Sequence, residues 1–79
     1  MQQVDGAVEN LLAEVLQIPA STITEDLAMK DVEAWDSLKH MELIVSLEQS
    51  FGIELSFDDI VAMQNVGEIK RVLRERGTS

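Results

Sequence analysis

Cysteine and tyrosine are absent from this 79-residue chain, and proline, tryptophan and histidine each occur once. The lack of cysteine excludes both a disulfide framework and a thiolate metal site. Aromatic residues make up only 4% of the chain, whereas hydrophobic residues make up 46%, which favours aliphatic helices over an aromatic-rich sheet. A chain of this length forms one small domain and buries only about 60% of its unfolded surface, so we do not expect a large enclosed active site.

Basic residues are also scarce. Six Lys and Arg residues stand against fifteen Asp and Glu residues, which gives a formal net charge of −9. Binding to phosphates requires clustered Lys and Arg, so this composition argues against nucleic acid and favours basic protein partners. Four of the six basic residues lie in the last ten positions, where cations complement the dipole of a final helix.

The amino-terminal segment lacks both a basic region and a long apolar run. Residues 1–17 contain Asp5, Glu9 and Glu14 and no Lys or Arg, which is unlike a signal peptide or a membrane span. We therefore expect a cytoplasmic protein without membrane insertion. We also expect a single domain over residues 1–76, followed by a frayed tail over 77–79.

Hydrophobic periodicity predicts a first α-helix over about residues 3–17. Ile18-Pro19 is expected to end this helix, because the residue before proline disfavours the helical conformation. Residues 18–36 then form an unusually long connection, and we expect this loop to be ordered by apolar side chains that reach the core. These predicted anchors are Ile23, Leu27, Met29, Val32 and Trp35.

Three further helices are predicted from their end signals. Their limits are Asp36 or Ser37 to Phe51, Ser56 to about Met63, and a last helix that Asn65 opens as a cap. Gly52 supplies a typical C-terminal stop, and Ser56 with Asp59 three residues later resembles a capping box. The predicted fold class is therefore all-α, with a short third helix.

Apolar residues of the second helix cover an arc of about 220°, which is wider than one core contact requires. They fall into two groups: Leu43, Ile44, Leu47 and Phe51 in the first, and Leu38, Met41 and Val45 in the second. We interpret the first group as core and the second, flanked by Glu42 and Glu48, as an exposed docking patch with an acidic border. The alternative is that both groups are buried, one of them beneath the long loop.

Ser37 lies at the predicted start of the second helix. Helix N-termini favour phosphate through free backbone N–H groups and the positive end of the dipole, so a phosphodiester on Ser37 would be well placed. The alternative is that Asp36 or Ser37 merely caps the helix, and position alone favours this alternative.

No catalytic or metal site is predicted. His40 is the only histidine, and one helix cannot supply the oriented base and oxyanion hole that an esterase needs, so we expect no enzymatic activity. His40 itself is expected at the edge of the core or on the surface. Asp31, Glu33 and Asp36 lack the spacing of a calcium-binding loop and are interpreted as solvated acids.

A resemblance over nearly the whole chain changes the interpretation of Ser37. The residues that carry it are Asp36-Ser37-Leu38, Met41-Glu42-Leu43, Leu47-Glu48, Phe51-Gly52-Ile53 and Asn65-Val66. In this pattern the chain resembles the acyl carrier proteins. The resemblance implies an antiparallel four-helix bundle with a long first loop and a short third helix. It also implies a 4′-phosphopantetheine group, derived from coenzyme A and attached to Ser37 between Asp36 and Leu38, whose thiol holds acyl groups as thioesters.

The resemblance further implies the partners of a monomeric carrier. A phosphopantetheinyl transferase and acyl-loading and acyl-processing enzymes of fatty-acid, polyketide or related biosynthesis would dock through basic patches. The docking residues implied by the family pattern are Met41, Glu42, Val45 and Glu48. Two alternatives remain: an aminoacyl or peptidyl carrier of a specialised pathway, and a helical interaction module in which Ser37 is only a cap.

The chain departs from the family pattern on both sides of the serine. Many relatives carry a glycine two residues before the Asp-Ser pair and an acid directly after the Leu, whereas this chain has Ala34-Trp35 and Lys39-His40. We therefore expect a partner set that differs from that of a common fatty-acid carrier. Trp35 either covers the mouth of a pocket or anchors the loop, and we expect it to anchor the loop.

Overall fold

The computed structural model describes residues 4–77, which form four α-helices. The helices are α1 (Val4–Leu16), α2 (Ser37–Phe51), α3 (Phe57–Ala62) and α4 (Val66–Gly77). α1 packs against α2 and α4, and α3 packs against α4. The predicted all-α class, long first loop and short third helix are confirmed.

The predicted carboxy-terminal tail lies largely outside the residues that the structure describes. α4 continues through Gly77, and residues 78 and 79 lie outside the described range, so the frayed tail stays a prediction. Among the helices of residues 4–77, none is both long and apolar enough to cross a membrane.

Two helices, α1 and α2, end with a left-handed residue and the same type of backbone hydrogen bond. Gly52 follows α2 in the left-handed conformation with φ 65°, and the Ile53 N–H donates to the Glu48 carbonyl oxygen at 3.2 Å. α1 ends in this way at a non-glycine residue, because Gln17 adopts φ 59° and the next N–H returns to the Ala13 carbonyl oxygen at 3.2 Å. This six-residue closure satisfies carbonyl groups that the helix end would otherwise leave free. The first helix thus ends through Gln17, one residue before the predicted Ile18-Pro19 stop.

The core lies between the four helices and the long loop. Its buried residues are Val8, Leu12, Leu16, Ile23, Trp35, Leu43, Ile44, Leu47, Leu55, Met63, Val66, Ile69, Val72 and Leu73. All but Trp35 are aliphatic, as the low aromatic content predicted. The first group of α2 residues therefore faces the core, although Phe51 is only partly buried.

The long first loop is ordered, as predicted. It contains two 3₁₀ turns, Ala20–Thr22 and Met29–Asp31, and its anchors Ile23 and Trp35 are buried. The other three predicted anchors, Leu27, Met29 and Val32, pack against the core while partly exposed. These contacts with the core fix the position of the loop where it leads into α2.

Backbone hydrogen bonds also hold the loop against the start of α4. The Met29 N–H donates to the Gln64 carbonyl oxygen at 2.8 Å, and the Gly67 N–H donates to the Glu25 carbonyl oxygen at 2.9 Å. A Cβ atom on residue 67 would lie 3.2 Å from that Glu25 oxygen, which is tighter than ordinary van der Waals contact. Glycine at position 67 thus permits the close approach of the loop to α4.

Basic residues of α4 form specific ion pairs, beyond the dipole interaction that the sequence suggested. Lys70 is 2% exposed, and its Nζ lies 3.0 Å from Glu9 Oε2 and 3.6 Å from Glu25 Oε2. Arg76 donates from Nε and from a terminal nitrogen to the two carboxylate oxygens of Asp59, at 3.0 and 2.9 Å. These hydrogen bonds, together with the Ser56 N–H, lower the pKa of Asp59 to about 2. The predicted Ser56–Asp59 capping box is present at the start of α3, and the pairing of Asp59 with Arg76 joins α3 to α4.

Candidate functional site

The start of α2 separates the two roles that the sequence left open for Asp36 and Ser37. Asp36 is the N-cap: its backbone is extended, and its Oδ1 accepts the Lys39 N–H at 2.9 Å. Ser37 is the first helical residue, and its side chain is exposed. Within residues 4–77, no group forms a hydrogen bond with the Ser37 hydroxyl. Asp36 therefore caps the helix, and the Ser37 hydroxyl is accessible to solvent.

The electrostatic surroundings of Ser37 suit an attached phosphate. The first-turn N–H groups of a 15-residue helix present the positive end of its dipole. Two residues after Ser37, Lys39 Nζ lies 3.5 Å from Glu42 Oε1 at the surface. The exposed hydroxyl thus has room and a favourable field for a phosphodiester.

An apolar groove begins directly after Ser37. Leu38, Met41 and Val45 are 67%, 48% and 46% exposed. Together with Glu42 and Ser46 they line an open groove of about 470 Å³. The predicted exposure of the second α2 group is confirmed, and the alternative that both groups are buried is wrong.

The two acids that were predicted to border this patch lie on different surfaces. Glu42 is exposed and lines the groove. Glu48 is half-buried, and its Oε2 accepts the Leu55 N–H at 2.9 Å, which ties α2 to the segment before α3. Glu48 lines a separate polar cleft with Asp59 and Arg76. Helical spacing placed Glu48 between the two apolar groups, which agrees with its half-buried position, but it gave no sign of the backbone partner of Glu48.

Trp35 anchors the loop that leads to Ser37. Its side chain is 2% exposed, and its Nε1–H donates to His40 Nδ1 at 3.0 Å. Its backbone N–H donates to the Val32 carbonyl oxygen at 3.0 Å. The interpretation of Trp35 as an anchor is therefore confirmed, and a role as an exposed cover of a pocket is wrong.

His40 is buried rather than exposed, with 6% of its surface accessible. Because Nδ1 accepts the Trp35 N–H, the neutral ring carries its proton on Nε2, which donates to the Ile60 carbonyl oxygen at 3.0 Å. Both ring nitrogens are thus occupied, and neither is placed to remove a proton from Ser37. The bond to Ile60 could not be found from the sequence, because it joins residues 20 positions apart on two helices.

Two of the acids before Ser37, Asp31 and Asp36, accept hydrogen bonds from backbone N–H groups. Asp31 Oδ2 accepts the Ala28 N–H at 3.3 Å, and Asp36 caps α2. Over residues 4–77, no three His, Asp or Glu side chains come together in a way that could hold a metal ion. These carboxylates are therefore assigned to local structure.

Comparison with known proteins agrees with this geometry. The family model described as "Phosphopantetheine attachment site" matches residues 6–73. The chain is also 31% identical over 67 residues to the acyl carrier protein of Lactobacillus johnsonii, an alignment that covers 85% of this chain and 84% of the relative. The chain belongs to the acyl carrier protein family. The resemblance on which the sequence interpretation depended is therefore confirmed.

Two further acyl carrier proteins extend the comparison. The chain is 34% identical over 62 residues to the protein of Saccharopolyspora erythraea, covering 78% of this chain and 65% of that relative. The solution NMR structure of a holo acyl carrier protein from Geobacter metallireducens matches with a TM-score of 0.83 and 28% identity. That match covers 95% of this chain and 86% of the other. Members of this family carry phosphopantetheine covalently, and the exposed hydroxyl of Ser37 fits such an attachment.

Proposed function

We propose that this protein carries acyl intermediates as thioesters on a 4′-phosphopantetheine group attached to Ser37. The observation that carries the proposal is that Asp36 and Ser37 have different roles at the start of α2. Asp36 caps the helix, so the exposed Ser37 hydroxyl is available for modification. When attached, the group supplies the thiol that this cysteine-free chain lacks. The protein supplies position and recognition and acts as a carrier rather than a catalyst.

Attachment of the group is a phosphoryl-type transfer from coenzyme A. A bond forms between Ser37 Oγ and the phosphorus atom on the pantetheine side of the diphosphate. The P–O bond to the nucleotide phosphate breaks, and the adenosine bisphosphate leaves with the electron pair. The proton of Ser37 passes to a base on the transferase, since both nitrogens of His40 are occupied by Trp35 and Ile60.

The test is intact mass spectrometry of the folded wild-type chain after incubation with coenzyme A and a broad-specificity phosphopantetheinyl transferase. We expect the mass to rise by one phosphopantetheine group. A well-folded wild type that stays unmodified would support the helical interaction module, in which Ser37 carries nothing. The mass of the adduct on protein purified from its own host would distinguish an acyl cargo from an aminoacyl or peptidyl one, because the arm chemistry is the same in all of these carriers.

We further propose that the groove beside Ser37 is the docking face for the transferase and the acyl-processing enzymes. Its apolar floor of Leu38, Met41 and Val45 lies next to the proposed attachment site and has an acidic border at Glu42. An exposed apolar patch with a charged rim is typical of a protein interface. Met41 suits a surface that meets several partners, because its side chain adapts its shape. Glu48 contributes less to this face, since its carboxylate holds the Leu55 N–H.

Charge reversal at the border tests the docking face. Glu42→Lys is expected to lower kcat/KM for modification by about tenfold at low salt, because it removes attraction to a basic partner surface. The difference from wild type should shrink at high salt, where surface charges are screened. Glu14→Lys is the matched control, since it makes the same charge change at an exposed position of α1. Equal losses in the two variants would show that only net charge matters and would remove Glu42 from the docking face.

A further inference from the structure

Trp35 and His40 flank the residues of the proposed attachment site along the chain. Trp35 directly precedes Asp36-Ser37, and His40 follows Ser37 by about one helical turn. Their rings lie 6.0 Å apart between centroids and are joined by the 3.0 Å hydrogen bond from Nε1–H to Nδ1. The backbone closes the same turn, because the His40 N–H donates to the Asp36 carbonyl oxygen at 2.8 Å. Residues 35–40 therefore form a ring that is closed by both main-chain and side-chain bonds.

This ring is fixed to α3 as well. Nε2 of His40 donates to the carbonyl oxygen of Ile60, which also receives the Met63 N–H at 3.3 Å. Carbonyl groups in the last turn of a helix lack intrahelical partners or share them, and α3 has only six residues. The imidazole thus gives this short helix a second donor near its C-terminal end. One buried side chain links the loop, the start of α2 and α3.

We infer that Trp35 and His40 are positioning residues for the modification of Ser37. The inference rests on the proposed function. Both side chains are almost fully buried, and a buried donor or acceptor that loses its partner carries a desolvation penalty. Their bond therefore restricts the turn on which Ser37 lies to one arrangement, with the hydroxyl outside and the indole inside. Small displacements of a reacting atom lower the rate of a transfer strongly, because the productive alignment becomes rare.

Three single variants test the bond between the rings. Trp35→Phe removes the N–H donor and keeps an aromatic ring in the core. His40→Gln keeps a donor that can reach Ile60 but places no acceptor at the position of Nδ1. His40→Asn does the reverse, because its amide oxygen lies near the position of Nδ1. Since the chain has one tryptophan, the single indole N–H signal in an NMR spectrum reports directly whether the bond is present.

The expected result is a loss of kcat with little change in KM. Trp35→Phe and His40→Gln should each lower kcat for transferase-catalysed modification by about tenfold, corresponding to one buried hydrogen bond. The double variant should be no slower than either single variant, because both remove the same interaction. His40→Asn should retain most of the wild-type kcat and a hydrogen-bonded indole signal.

Val72→Ala is the stability control, because this buried residue of α4 lies in the core and not in the ring around Ser37. If Val72→Ala with a similar loss of melting temperature slows modification equally, the effect is general destabilisation and the inference is overturned. Wild-type kcat in folded Trp35→Phe and His40→Gln would also overturn it. Failure of the wild type itself to accept the group would instead contradict the proposed function, so the two failures are distinguishable.

Discussion

Ser37→Ala is expected to abolish the phosphopantetheine mass increment completely while leaving the domain folded. The substitution removes only an exposed hydroxyl that has no hydrogen-bond partner within the described residues. Asp36 continues to accept the Lys39 N–H, so α2 keeps its N-cap. Intact mass after incubation with coenzyme A and the transferase measures the first outcome, and thermal unfolding followed by circular dichroism measures the second.

Ser50→Ala is the matched control for this experiment. Ser50 is an exposed serine on the same helix, near the end opposite to Ser37. This variant should gain the full increment, because the proposed attachment requires the hydroxyl at the start of α2 and not a serine elsewhere on the helix. An increment that persists in Ser37→Ala would disprove the assignment of the site, even though the family membership of the chain would stand.

Leu43→Ala is expected to destabilise the domain by about 3 kcal/mol, because it removes buried methyl groups and leaves a cavity. Leu43 is fully inaccessible to solvent in the core between the helices. For a domain of this size, such a loss lowers the melting temperature by about 15 °C. Thermal or urea unfolding of the variant measures the effect.

Leu38→Ala makes the same chemical change five residues earlier on the same helix. Leu38 is 67% exposed in the groove beside Ser37, so its truncation should alter the free energy of unfolding by less than about 0.5 kcal/mol. We expect it instead to weaken docking and to raise KM for the transferase. A loss of stability as large as that of Leu43→Ala would contradict the assignment of the two α2 groups to core and surface.

The sequence predicted the helices well because their end signals act over a few residues. The Ser56 hydroxyl accepts the Asp59 backbone N–H, and the Asp59 carboxylate accepts the Ser56 backbone N–H, three positions apart. Asn65 Oδ1 accepts the Glu68 N–H at 2.8 Å over the same spacing. Such bonds depend on local spacing, which can be counted along the chain. The end of α1 was predicted less exactly, because nothing in the sequence indicates that Gln17 adopts the left-handed conformation.

Part of the site could also be predicted from local spacing along the chain. Helical spacing separated the Leu38, Met41 and Val45 group from the core group and placed it beside Ser37. The same spacing placed Glu42 and Glu48 on either side of this group. In the structure, however, Glu48 binds the Leu55 N–H of the segment before α3, and only Glu42 lies at the groove. The direction of a partly buried carboxylate depends on the backbone group that it meets, and that group belonged to another segment.

What the sequence by itself determined is the family, the four helices and the position of the serine at the start of the second, because these depend on motifs and on periodic spacing. Only the tertiary structure decided that Trp35, His40 and Ile60 form one hydrogen-bonded chain, and that Lys70 meets Glu9 across 61 positions. Contacts of this kind depend on how helices cross and which side chains then face each other. A single sequence records the residues that take part in such contacts but not their distances.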